Sequence, residues 1–332
     1  MTTVSQAVMA AYVQAMMQAF APASAPGRRL AEWLFYNQGV TGLDFRAAMA
    51  LAASDGAAPE RPDLEKPLPP PLWQALSAAL ARIAGARALE QDELTANLEA
   101  LASAVALDPI ESALLRFVLF TDYDDSFDQL CGNIVETRAV DSIGLMVLCL
   151  GCGAGEVRGR LLQGPLHRLN LIGTANNLRN RFRYFVPYRI VRALRPASRG
   201  IADIERQLIG TPMRPLLSPA DYDHVASERD FTLRLLRGAI AARRPGTNVL
   251  IYGAPGTGKS EFCKMIAQEV GCALFGVGEA DEDGDEPSRR DRLDALRLAD
   301  RLAVGRGNAL LLFDEMEDIL ERGDRTSSHS GA

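Results

Sequence analysis

The sequence predicts a multidomain protein in which an all-α N-terminal region is followed by an α/β unit with a parallel sheet. Three observations carry this reading. The chain has 332 residues, beyond the size at which a single hydrophobic core usually stops growing. From Leu72 to Leu107, apolar residues recur at three-and-four spacing among Ala, Leu and Glu, which marks helices, and shorter helical pieces follow. Beyond Ser218, helical segments of ten or more residues alternate with short apolar runs, the signature of βαβ units.

Composition narrows the class. A hydrophobic share of 48% and a charged share of 23% are those of a folded globular chain and exclude disorder or a fibrous repeat. The formal net charge of −6 provides no overall attraction to nucleic acid or anionic lipid, so nucleic acid is an unlikely partner on this count. Five cysteines without a regular framework suit a reducing compartment, and a cytoplasmic protein is expected. Val8 to Phe20 is apolar, but Arg28 is the first basic residue and Gln14 and Gln18 interrupt the run. Neither a secretory signal nor a membrane span is therefore expected.

Taken in order, residues 1–57 read as N-terminal helices. The first has Thr3 and Gln6 spaced as a capping box and Val8, Tyr12, Met16 and Phe20 along one face. Residues 58–71, ending in Pro69-Pro70-Pro71, form a proline-stiffened linker. A helical domain over 72–200 follows, with helices at Leu72 to Leu89 and Gln91 to Leu107. Asp108-Pro109-Ile110-Glu111 starts another, with Asp108 as N-cap, Pro109 in the first turn and Glu111 closing the box. Leu145 to Leu150, a glycine-rich turn and Gly155 to Leu162 have the rhythm of a helix-turn-helix or winged-helix unit. Arg179 to Arg192 interleaves arginines with Phe182, Tyr184, Phe185 and Tyr188. Stacking on single-stranded nucleic acid is one reading of that pattern; aromatics inward and arginines solvated is the favoured one.

The second domain runs over 218–322, with a disordered tail expected over 323–332. Its order is helix (Ala226 to Ala242), strand (Asn248 to Tyr252), glycine loop, helix (Ser260 to Val270), strand (Ala273 to Val277), helix (Arg289 to Ala303) and strand (Ala309 to Phe313). The loop Gly253-Ala254-Pro255-Gly256-Thr257-Gly258-Lys259-Ser260 fits G-x-x-x-x-G-K-[ST] between a strand and a helix. Gly256 and Gly258 let the main chain turn its N–H groups inward, and this nest adds to the positive end of the following helix. Such a loop grips phosphate oxygens. Lys259 is placed to reach the β- and γ-phosphates and the Ser260 hydroxyl to ligate Mg²⁺. The strand Ala309 to Phe313 ends in Asp314-Glu315. Asp314 is placed to hold Mg²⁺ and Glu315 to polarise the water that attacks the γ-phosphate, while an acidic helix start is the competing account.

Together, GAPGTGKS and LLLFDE resemble the Walker A and Walker B motifs of AAA+ ATPases, over roughly Ser218 to Arg322. The resemblance implies an incomplete P-loop NTPase core that takes ATP and Mg²⁺. Gly253, Ala254, Pro255, Gly256, Thr257, Gly258, Lys259 and Ser260 would bind the nucleotide, Ser260 and Asp314 the metal, and Glu315 would be catalytic. It also implies ATP hydrolysis that drives remodelling of a protein client recognised by the helical N-terminal region, and a homo-oligomeric ring in the complete protein. A non-hydrolysing nucleotide-binding scaffold or switch is the alternative, and a nucleic-acid-handling ATPase a third reading. Ser218 to His224 lies where family members often contact adenine. In the family's sheet, ordered 5-1-4-3-2, a fourth strand lies between the phosphate-loop strand and the Asp-Glu strand. This sequence stops before that strand, the arginine finger and the lid, so the chain is expected to be truncated and Asn248 to Tyr252 to lack both neighbours.

Two weaker signals are read as structural. Cys149-Leu-Gly-Cys152 has metal-site spacing without a second pair, so buried thiols at a helix end are expected. The acidic run Glu279 to Glu286 lacks EF-hand spacing and reads as a solvated loop, with Arg289, Arg290 and Arg292 beside it.

Overall fold

A computed structural model describes residues 3–53, 63, 65–86, 93–175, 182–195, 197–244, 246–277 and 289–314. The chain divides into two compact units, Met1–Ile204 and Glu205–Ala332.

The first unit is helical, as its periodicity demands. Its helices are α1 (Thr3–Ala19), α2 (Ala25–Tyr36), α3 (Gln38–Thr41), α4 (Phe45–Ala52), α5 (Pro70–Ala86), α6 (Glu93–Ala104), α7 (Pro109–Tyr123), α8 (Asp125–Glu136), α9 (Ser142–Leu150), α10 (Ala154–Gln163) and α11 (Pro165–Arg168). A short antiparallel hairpin, β1 (Gly173–Thr174) and β2 (Tyr184–Phe185), then leads into α12 (Tyr188–Leu194) and α13 (Ile201–Ile209), within which the division between the two units falls. No single described helix is long and apolar enough to cross a membrane.

Several expected elements shift in detail. Pro70 and Pro71, expected in the linker, open α5 instead, because a first helical turn needs no N–H donor from these positions. Most of the rest of that stretch, 58–62 and 64, lies outside the described residues. The buried face of α1 is centred on Met9, Val13, Met16 and Met17 together with Tyr12, while Val8 and Phe20 are only half-buried. Gln6 sends its side-chain amide to the Gly39 carbonyl at 2.8 Å, tying α1 to α3. The box at Asp108 forms as the sequence requires: Asp108 accepts from Glu111 N–H at 2.8 Å and Glu111 accepts from Asp108 N–H at 2.9 Å.

The core of this unit is an aromatic cluster. Tyr12 and Phe127 each meet the Phe117 ring edge-on, at 4.9 and 5.9 Å, and Phe182 packs against it at 5.8 Å. Two buried side chains find partners far along the chain, as burial favours. Trp33 donates its indole N–H to the Ser126 carbonyl at 2.7 Å. Asn97 on α6 donates to the Ser198 carbonyl at 2.9 Å and accepts from Gly200 N–H at 3.3 Å, pinning the segment that leaves α12.

In the second unit a 3₁₀ turn over Pro219–Val225 precedes α14 (Ala226–Ala241), α15 (Lys259–Glu269), β3 (Ala273–Val277), α16 (Arg289–Arg306) and β4 (Ala309–Phe313). β3 and β4 pair in parallel, with Ala273 opposite Ala309 and Val277 opposite Phe313, which is the βαβ unit that the alternation of elements predicts. The outer edge of β3 is capped by Met213, whose N–H reaches the Leu274 carbonyl at 2.7 Å. Pro212 and Pro215 on either side of Met213 have no N–H to extend this pairing.

Asn248 to Tyr252, expected as a strand without either neighbour, is not a strand here, and its lack of a partner is as expected. Among the described residues this run pairs with no strand. Ile251 packs against the cluster of Tyr222, Leu233, Leu236, Phe262, Met265 and Ile266, while Leu250 and Tyr252 are 73% and 87% exposed. The side chains alternate as a strand's do, but a ladder also needs a partner backbone.

Candidate functional site

The glycine loop takes the conformation that its residue types permit. Gly256 and Gly258 have φ of 76° and 81°, values that carry a steric penalty for residues with a Cβ. A Cβ built at Gly256 would meet nothing within 4 Å, so backbone conformation rather than crowding requires glycine there. Gly258 caps α15, whose first residues are Lys259 and Ser260. The loop is braced internally by Thr257, which donates to the Ala254 carbonyl at 2.8 Å. Lys259 Nζ donates to the Gly253 and Ala254 carbonyls at 3.0 and 3.1 Å. The ammonium thus folds back along the loop.

Across the sheet tip, Asp314 follows β4 directly. Ser260 Oγ donates to Asp314 Oδ2 at 2.7 Å, across 54 residues of sequence. A hydroxyl and a carboxylate side by side form a hard-oxygen pair of the kind that suits Mg²⁺, so the residues present fit that ion. Ala254, Pro255 and Thr257 are exposed on the same loop. Glu315 and the chain after it lie outside the described residues, as does Glu279 to Glu286.

Two residues that the sequence does not place against the loop or the strand end also face the site. Tyr222, buried against Phe262 at 5.2 Å, donates its hydroxyl to the Gly258 carbonyl at 3.3 Å. It belongs to the segment expected near adenine; His224 lies exposed beside it. Arg292 on α16 is buried, donates to the Asp314 main-chain carbonyl and lies over the Phe313 ring at 4.9 Å. Its place in the sequence suggests instead a neutraliser of the acidic run. Helical spacing alone identifies a residue's face but not the strand end that face meets.

A brace at the base of the loop helix supports the arrangement. Glu261 accepts from Lys264 at 2.7 Å and from Leu216 N–H at 2.8 Å. Its carboxyl is held below the usual range first by Lys264 and then by the main-chain donor. No metal-binding group of three or more His, Cys, Asp or Glu occurs among the described residues. Cys149 and Cys152, expected to be buried, are both half-buried, and desolvation pushes the Cys149 thiol up.

Residues 249–332 match the model of the ATPase family associated with various cellular activities (AAA). The chain is 30% identical over 90 residues to the A1 form of the katanin p60 ATPase-containing subunit of Strongylocentrotus purpuratus, covering 27% of this chain and 17% of that protein. It is 26% identical over 162 residues to the A-like 1 form of the katanin p60 ATPase-containing subunit of Danio rerio, covering 42% of this chain and 33% of that protein. The chain therefore spans a third or less of the length of these curated relatives. No solved structure matches it. The C-terminal segment of this chain, residues 249–332, is thus similar to the ATPase family associated with various cellular activities.

Proposed function

We propose that the loop Gly253 to Ser260, with Asp314, binds ATP with Mg²⁺, and that in a complete protein the resulting hydrolysis drives remodelling of a protein partner. The observation that supports this most directly is the 2.7 Å contact between Ser260 and Asp314. A carboxylate from one strand end is held against the hydroxyl of a phosphate-loop helix, where a hard cation and a triphosphate would meet. The inward main-chain N–H groups grip phosphate oxygens. Lys259 exchanges its two loop carbonyls for the β- and γ-phosphates. Bound at Ser260 and Asp314, Mg²⁺ would neutralise phosphate charge. Glu315 would then orient the attacking water. Neither katanin relative's name states a client, and recognition of the partner by the helical unit is part of this proposal.

A second reading, nucleotide binding without turnover, draws on a different observation: the run feeding the loop, Asn248 to Tyr252, has no strand partner among the described residues. Calorimetry with Mg·ATP tests the first step. Binding that Lys259→Ala abolishes supports the site, and undiminished binding in that variant refutes it. Steady-state hydrolysis, lost in Glu315→Gln, separates a motor from a switch.

A further inference from the structure

Charge in the helical unit is segregated along the chain. Between Asp108 and Asp141 there are eight acidic and two basic residues; between Ser142 and Arg199 there are ten arginines, no lysine and a single acidic residue, Glu156. The whole-chain charge of −6 hides this reversal.

The basic stretch is also where the fold departs from plain helix packing. α9 and α10 are joined by three residues, with Gly151 left-handed at φ 65°, and the α9 segment meets the Ala154–Arg168 segment at a bend of 117°. That matches a helix-turn-helix, whose helices cross at about 90–120° through a short glycine turn. The β1–β2 hairpin follows, in the place of a wing. Val157 and Leu161 bury one side of α10, which leaves Gly155, Arg158, Gly159 and Leu162 outward. A Cβ at either glycine meets nothing within 4 Å, so this face is open to close approach.

The aromatics decide what kind of polyanion fits. Phe182 and Tyr184 are 1% and 6% exposed, so they cannot stack on bases, and the single-strand reading of this segment loses its platform. The arginines do the opposite. Arg158 on α10, Arg168 on α11 and Arg183 at the hairpin are exposed and form no ion pair with another described residue. The hairpin is tied to the helix pair, since the Arg183 N–H donates to the Ser142 hydroxyl at the start of α9 at 3.3 Å. Asp141, the N-cap of α9, adds one negative charge beside Ser142. Arg160, by contrast, is spent on Asp108 at 2.8 Å.

We propose that the outward face of α10, with Arg158, and the β1–β2 hairpin, with Arg183, form a docking surface for the sugar-phosphate backbone of a nucleic-acid duplex. Arginines contact phosphates and the glycine-lined helix face permits entry to a groove. The surface uses no residue of the loop Gly253 to Ser260 or of Asp314.

Fluorescence anisotropy of the full chain with a labelled random-sequence duplex of about 20 base pairs tests this. Binding at low salt is expected, weakening steeply as salt rises. Arg158→Ala/Arg183→Ala should raise Kd about tenfold and lower the salt slope by about two. Arg46→Ala, at an exposed arginine on α4, should do neither, and Lys259→Ala should bind duplex like the parent. Circular dichroism of each variant confirms folding. Absence of duplex binding by the folded parent, tighter binding of a single strand or of an acidic peptide, or an equal loss in Arg46→Ala would each overturn the proposal.

Discussion

Arg292 illustrates how one buried side chain can set a site. Its guanidinium reaches the carbonyl of Asp314 while resting on Phe313, so it fixes the strand end rather than touching the ligands directly. Removing it should loosen the carboxylate and cost Mg²⁺ more than nucleotide. Arg292→Ala is expected to lose about tenfold in the Mg²⁺-dependent part of ATP affinity while keeping affinity measured in chelator; equal losses in both conditions would contradict a positioning role. Lysine keeps a donor but not the planar stack, so Arg292→Lys should recover only part of the loss. Tyr222 acts on the other wall of the site. Tyr222→Phe removes the donor to Gly258 and should lower stability by about 1 kcal/mol, measured by urea denaturation.

Capping chemistry rules the elements, and two of them yield measurable consequences. Asp108 caps α7 and pairs with Arg160; its carboxyl is held below the usual range by the Glu111 N–H and Arg160 against the opposing, largest effect of burial. Asp108→Ala should cost about 1 kcal/mol, and Asp108→Asn less, since an amide oxygen still caps. At the other end of α7, Asp122 accepts from Val186 N–H at the exit of the hairpin. Although the residue as a whole is exposed, desolvation of its carboxyl, helped by Asp128, pushes it up to about 6. An acid with a raised folded-state pKa binds its proton more tightly when folded, so its contribution to stability falls as pH rises from about 4 to 6. Asp122→Asn should therefore gain on the parent in Tm as pH increases through that window; a constant difference would rule the linkage out. The Asp108 cap is legible in the sequence as a local pattern. The role of Asp122 is not, because its partner is 64 residues away.

At the scale of the molecule, two compact units, 1–204 and 205–332, make a single unfolding transition an unsafe assumption. A ligand that binds only folded protein stabilises it by about 2.7 kcal/mol at one hundred times Kd. If ATP binds as proposed, Mg·ATP should slow hydrogen exchange in 205–332 and leave 1–204 nearly unchanged; equal protection of both would show energetic coupling between them. Much of this architecture is legible without coordinates. The period of the apolar residues marks the helices, and the bounds of Ala273 to Val277 and Ala309 to Phe313 follow from short apolar runs between helices. At Asn248 to Tyr252 alternation survives but no partner strand is paired among the described residues, the lack of neighbours that the sequence already leads one to expect.

The sequence by itself determined what depends on neighbours in the chain. The left-handed glycines of the phosphate loop, the Asp108 box, the turn at Gly151 and the helix and strand periods are all set within a few residues, by steric limits and local hydrogen bonds. Only the tertiary structure decided which distant groups meet. It brought Ser260 to Asp314, turned Arg292 toward the strand end, buried Phe182 and Tyr184 while leaving Arg158 and Arg183 outside, and left Leu250 and Tyr252 exposed. Those outcomes follow from packing and backbone pairing across long loops, which no local pattern encodes.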